Sequence, residues 1–537
     1  MKYRAPDYAA FYAENKEKHV FRFEPEMAHE DVRISVRGTK VFLSAEDTPV
    51  KYVRLRWNFQ EHERRRESIR IMGDFYECEH GILGWRPIMP DWFMPWYCMV
   101  SNGSDMNDDT SGRFTECFGV RVRPAAIVNW QYDGAGITLW CDVRNGGSGV
   151  MLGGRELLVC EIVFCEYRDM TAFESGQRFC HEMCDAVNPV PHKVYGSNNW
   201  YYAYGKSSEE EILEDARIIA KACEGLENRP YMVIDDGWEI PQWEIPWRLG
   251  NERFPDMPGL AQKIKAMGVR PGIWVHLLID QYKSIPEADD SWRLMRDPTR
   301  LDASNPAVID YVKRTIQLLC DWGYQFIKHD MSTGDFFGKL SFEMIEKIAD
   351  NGWHFYDRSR TSAEIIVEFY RAIAETADKN GAVVLGCGCI PHLGAGLFHV
   401  SRVGSDTSGV YFNDTRKYGV NSLAFRLIQN GAFYAVDADC VGITEKISWK
   451  MNRQWMDLLA HSASPLFVSC KPGVLSDGEF AEMAEAMRVN SVQENRIRPV
   501  DWMENDTPMI WEIDGRIVEY NWYEELGEGS WIPEHEE

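Results

Sequence analysis

The stretch NPAVIDYVKRTIQLLCDWGYQFIKHDMS, residues 305 to 332, decides the fold. Its first nineteen residues have the apolar periodicity of an amphipathic helix, and YQFIKHDMS then reads as a short apolar strand that finishes on Lys328, His329 and Asp330. A charge taken out of water costs several kcal/mol unless it is paired. Three polar side chains closing a buried strand therefore mark either an ion pair at a turn or a reaction centre.

Working outward, the same helix-then-strand grammar runs from residue 194. The strands are KVYGSNNWYY, RPYMVIDDGW, RPGIWVHLL, YQFIKHDMS, AVVLGCGCI, VSRVGSDTSG, FYAVDADC and PLFVSC, with amphipathic helices between most of them. Only the strand before Asp406 follows a connection with no clear helix. Eight right-handed βα repeats close into a (β/α)8 TIM barrel, assigned to residues 191–496. Residues 1–190 favour alternating β-branched and aromatic runs such as VRISVRGTKVFLS and GITLWCDVRN, broken by NG, DG and GG turns, which predicts an N-terminal antiparallel β-sandwich. From residue 497 the segment WMENDTPMIWEIDGRIVEYNWYEE predicts a small C-terminal β module, 497–537, built around a DG turn. The fold class is thus multidomain, β plus α/β.

The 83 acidic against 58 basic residues leave a formal charge of −25, which would repel a polyphosphate backbone and an anionic membrane. The amino terminus carries charges throughout and does not read as a signal peptide, and no apolar run is long enough to span a bilayer. A soluble, cytoplasmic protein is expected. Fourteen cysteines lie scattered without a CxxC pair, as reduced core thiols do, and no metal or cofactor is implied.

In a barrel, the carboxyl ends of the strands share one pocket. Asp235, Asp236 and Trp238 end the second strand, Trp274 and His276 the third, and Lys328 and Asp330 the fourth. Cys387, Gly388 and Cys389 end the fifth, Arg402 and Asp406 the sixth, Asp437 and Asp439 the seventh. Carboxylates and tryptophans without a phosphate-cradling glycine loop suit a neutral polyhydroxylated ligand, because acids accept from hydroxyls and indoles stack on the apolar face of a sugar. Glycoside hydrolysis needs two carboxyl groups flanking the scissile bond.

The ordered blocks VIDDGW, FIKHD, LGCGC and SRVGSDT resemble the signature of the retaining α-galactosidases of glycoside hydrolase family 36, and the resemblance extends to GSNNWYYAYG and FPDMPGLAQKIKAMGVRPGIW. It implies Asp330 as nucleophile and Asp406 as general acid/base. It further implies Asp235 and Asp236 as holders of the galactose 4- and 6-hydroxyls, Lys328 and Arg402 as substrate-binding neighbours, and Trp200 and Trp238 as pocket-wall aromatics. The Cys387 to Cys389 loop is expected near the sugar's 2-position, where Gly388 would leave room for an N-acetyl group. His329 and the WVHLL segment depart from the pattern.

The expected activity is a retaining exo-α-galactosidase acting on a small carbohydrate, with no cofactor. The alternatives are an α-N-acetylgalactosaminidase, a raffinose-synthase-like transglycosylase with the same catalytic pair, and a silent carbohydrate-binding protein. Nucleic acid and membrane are excluded as partners, and a homo-oligomer is left open.

Overall fold

The computed structural model describes residues 3–61, 63, 68–78, 82–107, 109–240, 247–344, 347–492, 494 and 496–523. The first part is two antiparallel sheets, one of six strands and one of eight. In the strand Val50–Asn58 the period-two pattern is explicit: Val53, Leu55 and Trp57 are fully buried while Arg54 and Arg56 lie on the outer face. Across the layer Trp57 meets Phe164 at 5.2 Å and Trp130 meets Phe118 at 6.4 Å, so the sheets form the expected sandwich. A helix at Ala172–Met183, absent from the sequence expectation, leads out of the sandwich. Its Thr171 and Glu174 form a capping box.

The second part is a curled parallel sheet of nine strands with helices. We number its strands β1 (Tyr195–Asn198), β2 (Tyr231–Ile234), β3 (Arg270–Val275), β4 (Phe326–His329), β5 (Val383–Gly386), β6 (Val400–Arg402), β7 (Ala435–Asp437), β8 (Val441–Ile443) and β9 (Leu466–Cys470). The spatial order is β7-β6-β5-β4-β3-β2-β1-β9-β8. The main intervening helices are α1 (Glu209–Ala222), α2 (Met257–Ala266), α3 (Pro306–Trp322), α4 (Ser362–Lys379), α5 (Trp449–His461) and α6 (Asp477–Val492). The opening stretch forms α3 and β4: Asn305 caps the helix, Pro306 occupies its first turn and Gly323 ends it at φ 109°.

Two elements differ from expectation. FYAVDADC is not one strand but two: β7 and β8 are separated by Ala438, Asp439 and Cys440, with Asp439 at φ 77°. That left-handed residue turns the chain so that β7 pairs with β6 and β8 with β9. The helix expected before it is irregular, a π-helical turn at Thr415–Val420 running into Asn421–Arg426. The weak connection before β6 holds only a short helix, Pro391–Gly394.

Three antiparallel strands, Ile497–Pro499, Ile510–Ile513 and Arg516–Glu519, follow. The last two join through Asp514 and Gly515, both at positive φ, the DG hairpin geometry. Residues 524–537 of the expected module lie outside the described residues. Among the described residues no helix is long and apolar enough to cross a membrane, and no group of three or more His, Cys, Asp or Glu side chains is placed to hold a metal. All fourteen cysteines are free thiols.

Candidate active site

Parallel register sets the site. Trp274 pairs with Lys328, Lys328 with Leu385 and Arg402 with Asp437, so strand ends β3 to β7 finish at nearly one level. Alternation along β4 then sorts the three polar residues of the opening stretch. Lys328 and Asp330 share one face, whereas His329 is fully buried on the other against Phe369, Tyr370 and Phe398.

Asp330 is half-buried and held on both oxygens. The Trp274 indole donates to Oδ2 at 2.9 Å and the Met331 amide to Oδ1 at 2.7 Å. Met331 itself is at φ 68°. Lys328 Nζ donates to Asp235 Oδ2 at 2.7 Å. Burial alone would lower the pKa of this ammonium, but the carboxylate of Asp235, with Cys387 and Asp330 adding to it, holds it well above the usual lysine value.

Asp235 is buried and its carboxylate accepts three hydrogen bonds: besides Lys328, Oδ2 accepts from Asn198 Nδ2 and Oδ1 from the Asp236 amide at 2.9 Å, while its own amide donates to Asn199 Oδ1 at 2.8 Å. Asp236 is half-buried, and its carboxyl is hydrogen-bonded to that of Glu239. Burial, then the Asp236 charge, push the Glu239 carboxyl up to about 8.

Arg402 is buried and divides one guanidinium nitrogen between Asp406 Oδ1, at 2.8 Å, and Asp439 Oδ2. The same Asp439 oxygen accepts from Tyr201 Oη and from the Thr407 amide at 2.8 Å, so the break between β7 and β8 anchors the loop that carries Asp406. The Asp406 side chain is 57% exposed. Desolvation at the pocket would raise its pKa, but Arg402 and then Lys328 hold the carboxyl below the usual range. Asp437 is buried, and burial raises it to about 6 despite Arg402.

Cys387 is buried, its amide bonded to the His329 carbonyl at 2.7 Å and its sulfur 3.8 Å from Arg402 Nη1. A Cβ on Gly388, which is at φ 54°, would fall 2.6 Å from Asp330 Oδ1 and 2.7 Å from the Met331 amide nitrogen. The glycine is therefore required by the close approach of Asp330, and its smallness does not by itself leave open space. Trp200, half-buried, follows β1, its amide capped by Asn198 Oδ1. Trp238, expected in the pocket wall, is instead fully buried: its indole donates to the Trp274 carbonyl at 3.0 Å and packs against Trp247 and Trp322. It backs the wall and does not face the cavity.

Lys328 with Asp235, Arg402 with Asp406, and Asp330 with its Trp274 and Met331 donors thus stand as three short-contact groups at the same end of the sheet. Sequence reasoning passed over Asn198, Tyr201, Cys78 and Glu239. Asn198 carries the same signal as Lys328, a polar side chain ending a buried strand. Glu239 is the third acid in five residues. Cys78, whose carbonyl accepts from Ser405 Oγ at 3.3 Å, comes from the sandwich and has no local signal.

No family model and no curated protein matches the chain. Among solved structures, the α-galactosidase TtGalA from Thermus thermophilus, in complex with p-nitrophenyl α-D-galactopyranoside, matches with a TM-score of 0.59 at 16% identity, covering 93% of this chain and 99% of that one. The family 36 α-galactosidase AgaA from Geobacillus stearothermophilus matches with a TM-score of 0.59 at 14% identity, over 95% of this chain and 79% of its own. The galactosidase domain of the α-galactosidase-sucrose kinase AgaSK gives 0.57 at 15% identity, over 91% and 70%. In fold, the chain is similar to the glycoside hydrolase family 36 α-galactosidases, the family its sequence blocks resemble.

Proposed function

We propose that the chain is a retaining glycoside hydrolase that removes terminal α-linked galactose from small carbohydrates. The carrying observation is the contrast between two carboxylates at the same end of the sheet. Asp330 is fixed on both oxygens, as a nucleophile must be; Asp406 lies open, tethered through Arg402, as a proton carrier must be.

Asp330 attacks the anomeric carbon while the bond to the aglycone oxygen breaks, and Asp406 gives that oxygen its proton. In the second half Asp406 takes a proton from water, which displaces Asp330 with net retention. Asp236 and the Asp235–Lys328 pair receive sugar hydroxyls, with Trp200 beside them.

The curled sheet is read as a closed (β/α)8 barrel, because the three residues 438–440 join its two outermost strands. The sandwich, barrel and terminal module are read as units meeting near residues 190 and 497.

Hydrolysis of aryl α-galactosides, with α-glucosides as control, tests the activity. Asp330→Ala is expected to fold normally and to lose several orders of magnitude in kcat. Comparable rates on both epimers, or near-normal turnover by Asp330→Ala, would end this reading.

A further inference from the structure

We propose that Glu239 is a positioning residue for Asp236: its carboxyl carries the proton of a carboxyl–carboxylate hydrogen bond and aims the remaining Asp236 oxygen at a sugar hydroxyl. The inference rests on the galactoside reading above and adds to it a residue that determines how the sugar is held.

Of the two adjacent aspartates, Asp235 has little accepting capacity left, since Asn198, Lys328 and the Asp236 amide already occupy it. Asp236 is the one with an oxygen to offer, and Glu239 sits on its other side, only 5% exposed. Two carboxyl groups hydrogen-bonded to each other must share one proton, because an ionised carboxylate has no donor.

The backbone enforces the contact. Gly237 is at φ 106°, and a Cβ there would lie 2.4 Å from the Gly205 carbonyl oxygen. Asn251 Nδ2 donates to the carbonyls of Gly237 and Glu239, both at 2.8 Å, and the Asn251 amide donates to Trp238. The turn thus folds Glu239 back over Asp236, and the Gly237 amide donates to Glu239 Oε2 at 3.2 Å.

The titratable groups facing the pair are Asp235 on the same loop and His276 after β3. Lys328 from β4 is bound to Asp235, and Arg253 binds the Gly237 and Gly205 carbonyls from outside. No cation among the described residues pairs with Glu239, so the proton is what allows the two acids to touch. With Glu239 held up to about 8, that proton is in place at neutral pH and leaves in mild alkali. Asp236 and Glu239 then repel, and the hydroxyl acceptor loses its aim.

The test is KM and kcat against pH for wild type, Glu239→Gln and Glu239→Ala, on an aryl α-galactoside. Wild-type KM is expected to rise about tenfold between about pH 7 and about pH 9.5, with kcat changing less. Glu239→Gln, a donor that does not titrate, should hold KM level across that range, and Glu239→Ala should raise it throughout. An infrared difference spectrum between wild type and Glu239→Gln at about pH 7 should show one buried protonated carboxyl, a readout that needs no substrate. A wild type inactive on every α-galactoside would defeat the functional reading alone. An active wild type whose Glu239→Gln variant keeps the alkaline rise in KM, or lacks the infrared difference, would overturn this inference. Should Glu239→Ala fail to fold, the glutamine variant decides.

Discussion

Asp406 poses the sharpest chemical question at the level of single residues. An acid catalyst is usually tuned upward, by burial or by a neighbouring anion. Here desolvation at the pocket works upward, but Arg402 and Lys328 together outweigh it and hold the carboxyl below the usual range. The role therefore depends on a bound neutral sugar, which excludes water from the pocket and strengthens the desolvation that opposes Arg402. An acid catalyst matters most when the leaving group is poor. Asp406→Ala is expected to cut hydrolysis of oligosaccharides by about a thousandfold or more, within the usual range for such a group, while sparing the first step on aryl galactosides with acidic phenols. Added azide should then be captured as a glycosyl azide of retained configuration, read by NMR of the product. An inverted azide would remove Asp406 from its assigned role and point to single displacement.

At the level of elements, the strands and long helices were legible because their signals are local. The periodicity of α3 and the DG turn of the terminal hairpin are written in neighbouring residues, and the structure has both where they were expected. The helix Ala172–Met183 was missed despite its local Thr171–Glu174 box, but most of what was not legible depends on distant partners. FYAVDADC looks like one strand until Asp439 is given Tyr201, Arg402 and Thr407 to bind, and Trp238 looks like a pocket wall until Trp247 and Trp322 close over it. Strand β4 adds a test of alternation. His329 is fully buried on the helix side, and neither ring nitrogen has a hydrogen-bond partner among the described residues. Burial, with His276 adding, lowers its pKa to about 3. The unfolded chain takes up a proton below about pH 6.5 that the native ring refuses, so stability is lost as pH falls from there towards the folded pKa, at about 1.4 kcal/mol per unit. His329→Leu is expected to raise stability by about 1 kcal/mol at pH 7.5, by removing unpaired polar atoms, and by about 3 kcal/mol at pH 5. Urea unfolding of both proteins at the two pH values measures it. A variant no more stable at pH 5 than at pH 7.5, relative to wild type, would show that the imidazole titrates freely.

Over the whole molecule, the sandwich is bound to the curled sheet by a buried polar seam. The loop after the strand Ile69–Gly73 carries Asp74, which accepts from Arg426 Nε and Nη2 at 2.8 and 2.6 Å and from Gln429 Nε2 at 2.9 Å. Arg426 continues to the Val403 carbonyl at 2.6 Å, two residues before Ser405, which in turn reaches the Cys78 carbonyl. His392 stacks on Trp96 of the sandwich at 5.0 Å, its pKa lowered by burial to about 4. The loop that bears Asp406 is thus supported from the sandwich side. Breaking a buried pair by removing one partner is far worse than removing both, because the survivor is left charged and unsolvated. Asp74→Ala strands Arg426, which is 1% exposed, and is expected to cost about 3–5 kcal/mol. Arg426→Met added to it should recover about 2–3 kcal/mol of the summed single effects, the coupling of groups in one network. If the seam also makes the two parts unfold together, calorimetry should show one transition for wild type and two for Asp74→Ala, with the sandwich and the sheet melting apart. Additive single mutants and an unsplit transition in Asp74→Ala would mean that apolar packing, not this pair, joins the sandwich to the curled sheet.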